Sequence, residues 1–486
     1  NKYIHFSTLN MVNYCYRFCK YEKEVNMKNI QAILITAGIM AGNFIPVFCI
    51  EESEIPQKMS KPQIAAVTET ENKFDYINLD WWKNFNDPFL CEYIEKAVNY
   101  NHDLKIATIS TKEYYDAVKV QFAQQLPSAS AGLSPAYVKS LNTTSSGFQY
   151  ALPVTANYEI DLFLKNRDKT KSVRKNYEMA LLDERAAYIA VAAAVGSTYF
   201  NIVKFDKEIE IQKQIVNERK TIFDLMSKRN AHGITSTADT IRADKDYVAS
   251  LSELSELEKQ RDSLLHSLCV LIGDSSDNKE EIVRKSYDEI EYTGNIPESI
   301  NSEIIQQRPD YLKSVHNIEK AGIDVRIAKK EFLPSFSIGG LALFNAADLG
   351  KVFNTTGMFN ALGALAGIDF FQGGKKIANL RLRKHTYERL LEEYQQTNLT
   401  AIQEINDALL YVKKDNEKLL NTLQQEDFEK KDYGFYLTRY ENGIVSKLDL
   451  SQSKENLLTI NKLAVNQQVE CFIDYIGLYK AAGSIL

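Results

Sequence analysis

From Phe148 to Leu162 one parity of the chain is wholly apolar and the other mostly polar or small. Phe148, Tyr150, Leu152, Val154, Ala156, Tyr158, Ile160 and Leu162 share one parity. Gln149, Ala151, Pro153, Thr155, Asn157, Glu159 and Asp161 share the other. Period two is the signature of a strand with unlike faces. A half-buried strand of a soluble domain is about five or six residues long. A strand that crosses an outer membrane needs about ten or more, one face to lipid and the other to the lumen. The length of this alternation favours the membrane.

The rest of the chain is largely helical, and it repeats. Gly233-Ile234-Thr235-Ser236-Thr237-Ala238-Asp239 is answered by Gly443-Ile444-Val445-Ser446-Lys447-Leu448-Asp449, an offset of 210. Leu126-Pro127-Ser128-Ala129-Ser130 is answered by Leu333-Pro334-Ser335-Phe336-Ser337. Ile160-Asp161-Leu162-Phe163 is answered by Ile368-Asp369-Phe370-Phe371, and Asp103 by Asp310. Matches that keep their order at a near-constant offset indicate an internal duplication. Each unit reads helix, strand, strand, long helix, tip, long helix. Asp87 and Pro88 suit the start of a first helix over about 89–122. Long helices over about 166–232 and on to 272 carry three-four apolar seams suited to coiled-coil packing. Some 60 residues at ~1.5 Å each make a rod near 90 Å, more than a globular domain needs. Gly233 and Gly443 stand where each hairpin turns over, because glycine takes the left-handed conformation at low cost.

Residues 1–26 read as an upstream extension, and Met27-Lys28-Asn29 before the apolar run Ile30–Gly42 opens a signal sequence over 27–49. A leader follows over 50–88. The first repeat spans 89–273, with strands in 128–162 and a hairpin over 166–272. A polar, acidic connector covers 274–300. The second repeat spans 301–486, with strands in 335–371 and a hairpin over 375–484. Cys49 sits where a lipid-modified mature N-terminus would start, although Pro46-Val47-Phe48 departs from the small residue expected before such a cysteine.

Composition narrows the function by exclusion. A net charge of −6 gives no support to nucleic-acid binding. Six cysteines and six histidines are scattered, without CxxC or HExxH, so no metal site, cofactor or disulfide framework is indicated. No phosphate-binding loop or nucleophile elbow occurs, and no catalytic residue is assigned.

Four strands cannot close a barrel, and open edges are not tolerated in lipid. Several copies must therefore pool their strands, and three would supply twelve. The helices carry Lys, Glu and Gln on their outer faces, so they stand in water as a tube that continues the barrel. The expected fold is mainly α with membrane β: a trimeric twelve-stranded outer-membrane barrel continued by a periplasmic α-helical barrel.

Trp81-Trp82-x-x-Phe85-x-Asp87-Pro88-x-Leu90, Arg308-Pro309-Asp310, the two LPSxS strand entries and the two GxxSxxD tips resemble the TolC-like outer-membrane channel family. The branch they resemble holds the drug- and metal-efflux outer membrane factors, including NodT-like efflux lipoproteins. The resemblance covers about residues 80–483. It implies a homotrimer in outer-membrane lipid that meets a periplasmic adaptor and an inner-membrane pump of RND or ABC type. It also implies that the tips close the periplasmic entrance. Asp449 falls at the acidic ring of that gate, and Tyr440 at a tyrosine that ties one hairpin to the other, with Asp239 as its expected partner. Gln452 stands where many members carry a second aspartate, and Val445 where some carry an arginine. Gly233, Gly443, Ser236 and Ser446 mark the tips that an adaptor would meet. The competing reading for Asp449 and Asp239 is a helix cap.

The first functional reading is thus a passive exit duct for small toxic compounds. A type I protein-secretion duct and a non-channel periplasmic coiled-coil adaptor are the alternatives. Long lipid-facing strands argue against the adaptor.

Overall fold

The computed structural model describes residues 80–139, 146–294, 297, 300, 302–353, 358–369 and 371–483. Cys49, the signal sequence and nearly all of the leader lie outside the described residues. The elements in order are α1 (Pro88–Tyr100), α2 (His102–Ala123), β1 (Ser128–Ala131), β2 (Ser134–Lys139), β3 (Ser146–Ile160), α3 (Lys165–Ala231), α4 (Thr237–Leu271), α5 (Pro309–Lys330), β4 (Ser335–Ala346), β5 (Met358–Gly367), α6 (Lys375–Glu441) and α7 (Lys447–Ala481). Short 3-10 turns at Ser276–Glu281, Tyr287–Glu289 and Ser302–Gln307 lie between α4 and α5. The helices α3 and α6 are 67 residues each, and α4 and α7 are 35 each.

One compact unit contains 129–155 and 340–362. The sheet order is β1-β3-β4-β5, with β2 also pairing β3. Ser134 of β2 faces Ala151, and the Ser130 hydroxyl of β1 lies 2.8 Å from that of Thr155. Both pairs fall on one register, so Gly132 and Leu133 merely interrupt a single ribbon. Tyr137 and Phe148 are cross-strand partners with ring centroids 5.4 Å apart. Both are exposed, as are Phe359 and Leu362 on β5, the last at 85%.

The expected strand end at Leu162 is too long by two residues. β3 stops at Ile160 because Asp161 turns to the start of α3, where its carboxylate accepts from the Asn166 and Arg167 amides. The expected helix over 89–122 is likewise two helices. Asn101 leaves the helical conformation, and its side chain accepts from the Leu104 amide while donating to the Leu271 carbonyl. One residue thereby ends α1, starts α2 and caps α4.

The other unit holds the helices. Each long helix packs against its hairpin partner, α3 on α4 and α6 on α7, and α3 also packs on α7, α2 and α5. Part of α3 is long and apolar enough to cross a membrane, yet 61% of that stretch is buried within the protein. Its apolar side chains Tyr188, Val195, Tyr199, Phe200 and Ile202 are spent on packing.

The Trp81-Trp82 pair belongs to this core rather than to a ligand site. Trp81 stacks on Tyr479 at 5.9 Å, and Phe85, fully buried, meets Phe200, Tyr292 and Phe472. Asp87 caps α1 through the Phe89 amide and accepts from the Tyr199 hydroxyl at 2.6 Å. Gly196 leaves room for Trp81: a Cβ there would come within 2.7 Å of the indole and 3.0 Å of Ile476. Arg308 is a second hub. Its guanidinium holds Asp310, Glu404 and the Ala481 carbonyl, so it ties the start of α5 to α6 and to the end of α7.

Between α6 and α7 burial, together with Asp415, pushes the Asp474 carboxyl up to about 7.

Gly196→Val should lower the thermal unfolding midpoint, at a cost of about 1–3 kcal/mol of overpacking, whereas Gly477→Ala, which meets nothing within 4 Å, should not. Because the folded state holds the Asp474 proton that the unfolded state releases, stability should fall as pH rises from the ordinary value of 3.8 to about 7 and then level off. Asp474→Asn should flatten that slope in thermal midpoints measured across the same range.

Candidate functional site

The two hairpin tips are built alike, and the sequence shows why. In the first, the Gly233 amide donates to the Asn230 carbonyl and the Ile234 amide to the Arg229 carbonyl at 2.9 Å. In the second, Gly443 donates to Tyr440 and Ile444 to Arg439 at 2.8 Å. This is the Schellman closure, and it needs a left-handed residue after the helix. Both glycines have φ +72° with open space around them.

The return helix then starts on a serine. Ser236 caps α4 by accepting from the Asp239 amide, and Ser446 caps α7 by accepting from the Asp449 amide. At the second tip the capping is reciprocal. The Asp449 carboxylate accepts from the Ser446 amide at 3.0 Å and from its hydroxyl at 2.6 Å. These two bonds, ahead of the nearby Arg229, hold the Asp449 carboxyl below its ordinary value. Asp239 accepts from the Ser236 hydroxyl at 2.7 Å.

The structure therefore places both tip aspartates in caps, three residues from their serines. Among the described residues the Tyr440 hydroxyl makes no hydrogen bond to Asp239. The Asp239 carboxylate is engaged locally through Oδ2, by the Ser236 hydroxyl. Gln452 lies one turn beyond Asp449 and donates to Asn456 along its own helix at 3.4 Å. Tyr440 and the tip residues Ile234 and Ile444 are exposed. Charged residues further back on α3 and α7 join the hairpins by ion pairs. Sequence reasoning passed over these, since they fall outside the repeat offset and sit among many other charges. Among the described residues no group of three or more His, Cys, Asp or Glu is arranged to hold a metal ion.

A family model described as outer membrane efflux protein matches residues 93–274 and 300–484. The chain belongs to the outer membrane efflux protein family. The probable efflux pump outer membrane protein TtgC of Pseudomonas putida is 24% identical over 472 residues, covering 94% of this chain and 95% of the relative. The cation efflux system protein CusC of Escherichia coli is 22% identical over 433 residues, covering 88% and 93%. Among solved structures, the Campylobacter jejuni CmeC outer membrane channel superposes with a TM-score of 0.75 at 24% identity, covering 84% of this chain and 88% of that one. The open state of the Neisseria gonorrhoeae MtrE outer membrane channel gives 0.73 at 20% identity, covering 85% and 93%. As a member of the outer membrane efflux protein family, the chain is an outer-membrane protein with the fold of these channels.

Ser446→Ala should fray the start of α7, and amide exchange over residues 447–450 should quicken about fivefold, as expected for a cap worth ~1 kcal/mol. Asp449's contribution is full above the ordinary value of 3.8 and is lost as pH falls through its lowered folded value. Ser446→Ala should move that loss to higher pH.

Proposed function

We propose that three copies of this chain form the outer-membrane exit duct of a tripartite efflux system, a passive channel for small toxic compounds. The observation that carries this is the sheet, with β5 at one end of its order and β1 and β2 at the other, and with large apolar side chains exposed on it. A sheet with free edges cannot stand in lipid, because each unpaired amide there costs several kcal/mol. Neighbouring copies must pair those edges. Four ribbons from each of three copies make a twelve-stranded barrel, wide enough to enclose water.

The helical unit stands on the periplasmic side and the hairpin tips form its gate. Three Asp449 carboxylates around a threefold axis give the entrance a preference for cations. Gln452, neutral, sits one turn deeper and leaves that preference to Asp449. Tyr440 and Asp239 line the same end. The glycine and serine tips, Gly233 with Ser236 and Gly443 with Ser446, offer the surface a periplasmic adaptor meets, and the adaptor joins the duct to an inner-membrane pump. Cys49 remains the candidate for a lipid anchor; the similar SilC of Salmonella typhimurium is described as a probable outer membrane lipoprotein.

Purified protein should run as a trimer by native mass measurement, and loss of the protein should raise susceptibility to small toxic compounds several-fold. In planar bilayers, Asp449→Ala and Tyr440→Phe trimers should show a larger resting conductance than the parent, and Asp449→Ala a weaker cation preference. Unchanged conductance and selectivity in both would remove these residues from the gate.

A further inference from the structure

Four helices of the helical unit line a groove of about 550 Å³. Glu208 of α3, Glu253 of α4 and Glu429 of α6 bring three carboxylates to it, and Lys462 of α7 brings one ammonium. Ile460 and Leu463, three residues apart, turn one apolar face of α7 into the same groove. Leu463 is 45% exposed there.

Only one of the three carboxylates is answered. The Lys462 ammonium lies 2.5 Å from Glu253, and the Gln212 amide donates to the same carboxylate at 3.2 Å. Glu208 is 7% exposed, yet among the described residues it makes neither a hydrogen bond nor an ion pair. Lys204, one turn back on α3, lies over the Phe205 ring instead. Burial pushes the Glu208 carboxyl above its ordinary value against the pull of Lys204 and Lys462, and Glu253 adds to the rise. Glu429 has no such partner either. The two lysines that follow it reach back along α6, Lys430 to Glu426 and Lys431 to Asp427, each at 2.5 Å. A covered carboxylate that nothing meets is costly, so Glu208 marks the groove as a place for a cation.

The arrangement also says which cation. Among the described residues no three such groups are gathered to hold a metal ion. The helix α7 packs against both α3 and α6. Packed helices lie about 8–10 Å apart, so Glu208 and Glu429 flank α7 from its two sides. One compact ion cannot meet both. A ligand that does needs a positive charge at each end and a stem between them that suits Ile460 and Leu463.

We propose that this groove binds a linear organic dication, a diamine or polyamine. One ammonium sits on Glu208 and the other on Glu429, and the methylene stem lies along Ile460 and Leu463. Lysine side chains lie on apolar surface in the same way, stem down and charge at a carboxylate. The first ammonium holds the second close to its partner, so the two contacts reinforce each other. The site is complete within one chain and stands apart from the duct reading.

The test is calorimetric titration of the full-length protein at low ionic strength with cadaverine, with pentylamine as the singly charged control and magnesium chloride as the competitor. Cadaverine should bind about tenfold more tightly than pentylamine. Glu208→Gln and Glu429→Gln should each weaken cadaverine about tenfold, since each removes one charge-assisted hydrogen bond. Glu429→Gln should leave pentylamine within about twofold, because a single ammonium takes the covered carboxylate. Glu208→Gln keeps the size of the side chain and removes the unpaired charge, so its thermal midpoint should not fall. Glu429→Gln, on the more open flank, keeps the test alive if the first variant fails to assemble. Cadaverine that does not bind, cadaverine and pentylamine that bind alike, or variants that bind cadaverine like the parent would overturn the site. Displacement of cadaverine by an equal concentration of magnesium would overturn it too, by reducing the groove to an acidic surface with its counterions.

Discussion

Backbone amides in hydrocarbon have no water to fall back on, and that cost governs the way this chain is put together. A strand can face lipid only if both of its neighbours are strands. The chain brings β3 between β1–β2 and β4 but leaves the order ending at β5. In the proposed duct, burying the remaining edges is a task for other copies, a demand that hydrogen bonding makes before any side chain is considered. The same cost suits a β3 that is long and alternating, with side chains fit for lipid on one face and water on the other.

The helical unit obeys a different rule. Helices of 67 residues gain little from propensity that packing does not secure. Packing is concentrated around the aromatic knot of Trp81, Phe85, Tyr199, Phe200, Tyr292 and Phe472, with Arg308 as its charged counterpart. Toward the tips burial fades, and polar caps and ion pairs take over. Apolar area gives a fixed anchor, while charges in water cost little to part. The tips themselves stay well formed because closure and capping are local, needing only Gly, Ser and Asp at set spacing.

Two readings of the tips are compatible in one structure. Asp449 is a cap, and its carboxylate is held anionic by the serine it caps. An anion that is structurally required at the turn is an anion always present at the tip. The cap thus supplies the charge on which a cation-selective mouth would depend, and Asp239 is placed in the same way at the other tip.

The sequence alone determined the features that depend on local order. Alternation around Phe148–Leu162 marked the membrane ribbon, three-four seams marked the long helices, and Gly233 and Gly443 marked the turns, because strand pleat, helix pitch and left-handed backbone are set by neighbouring residues. From these the fold class and family resemblance were legible. Tertiary structure decided the rest. Asn101 splits the first helix in two: asparagine is a favoured cap, but only folding brings the Leu271 carbonyl beside it. Only folding, likewise, turned Asp161 from a strand residue into a cap, set Gly196 beneath Trp81, and matched Glu218-Arg219 to Lys454-Glu455 across 236 residues. Charges on a long helix look alike in sequence, and which of them meet is fixed by the register of helix on helix, a property of the packed seam that neighbouring residues do not record.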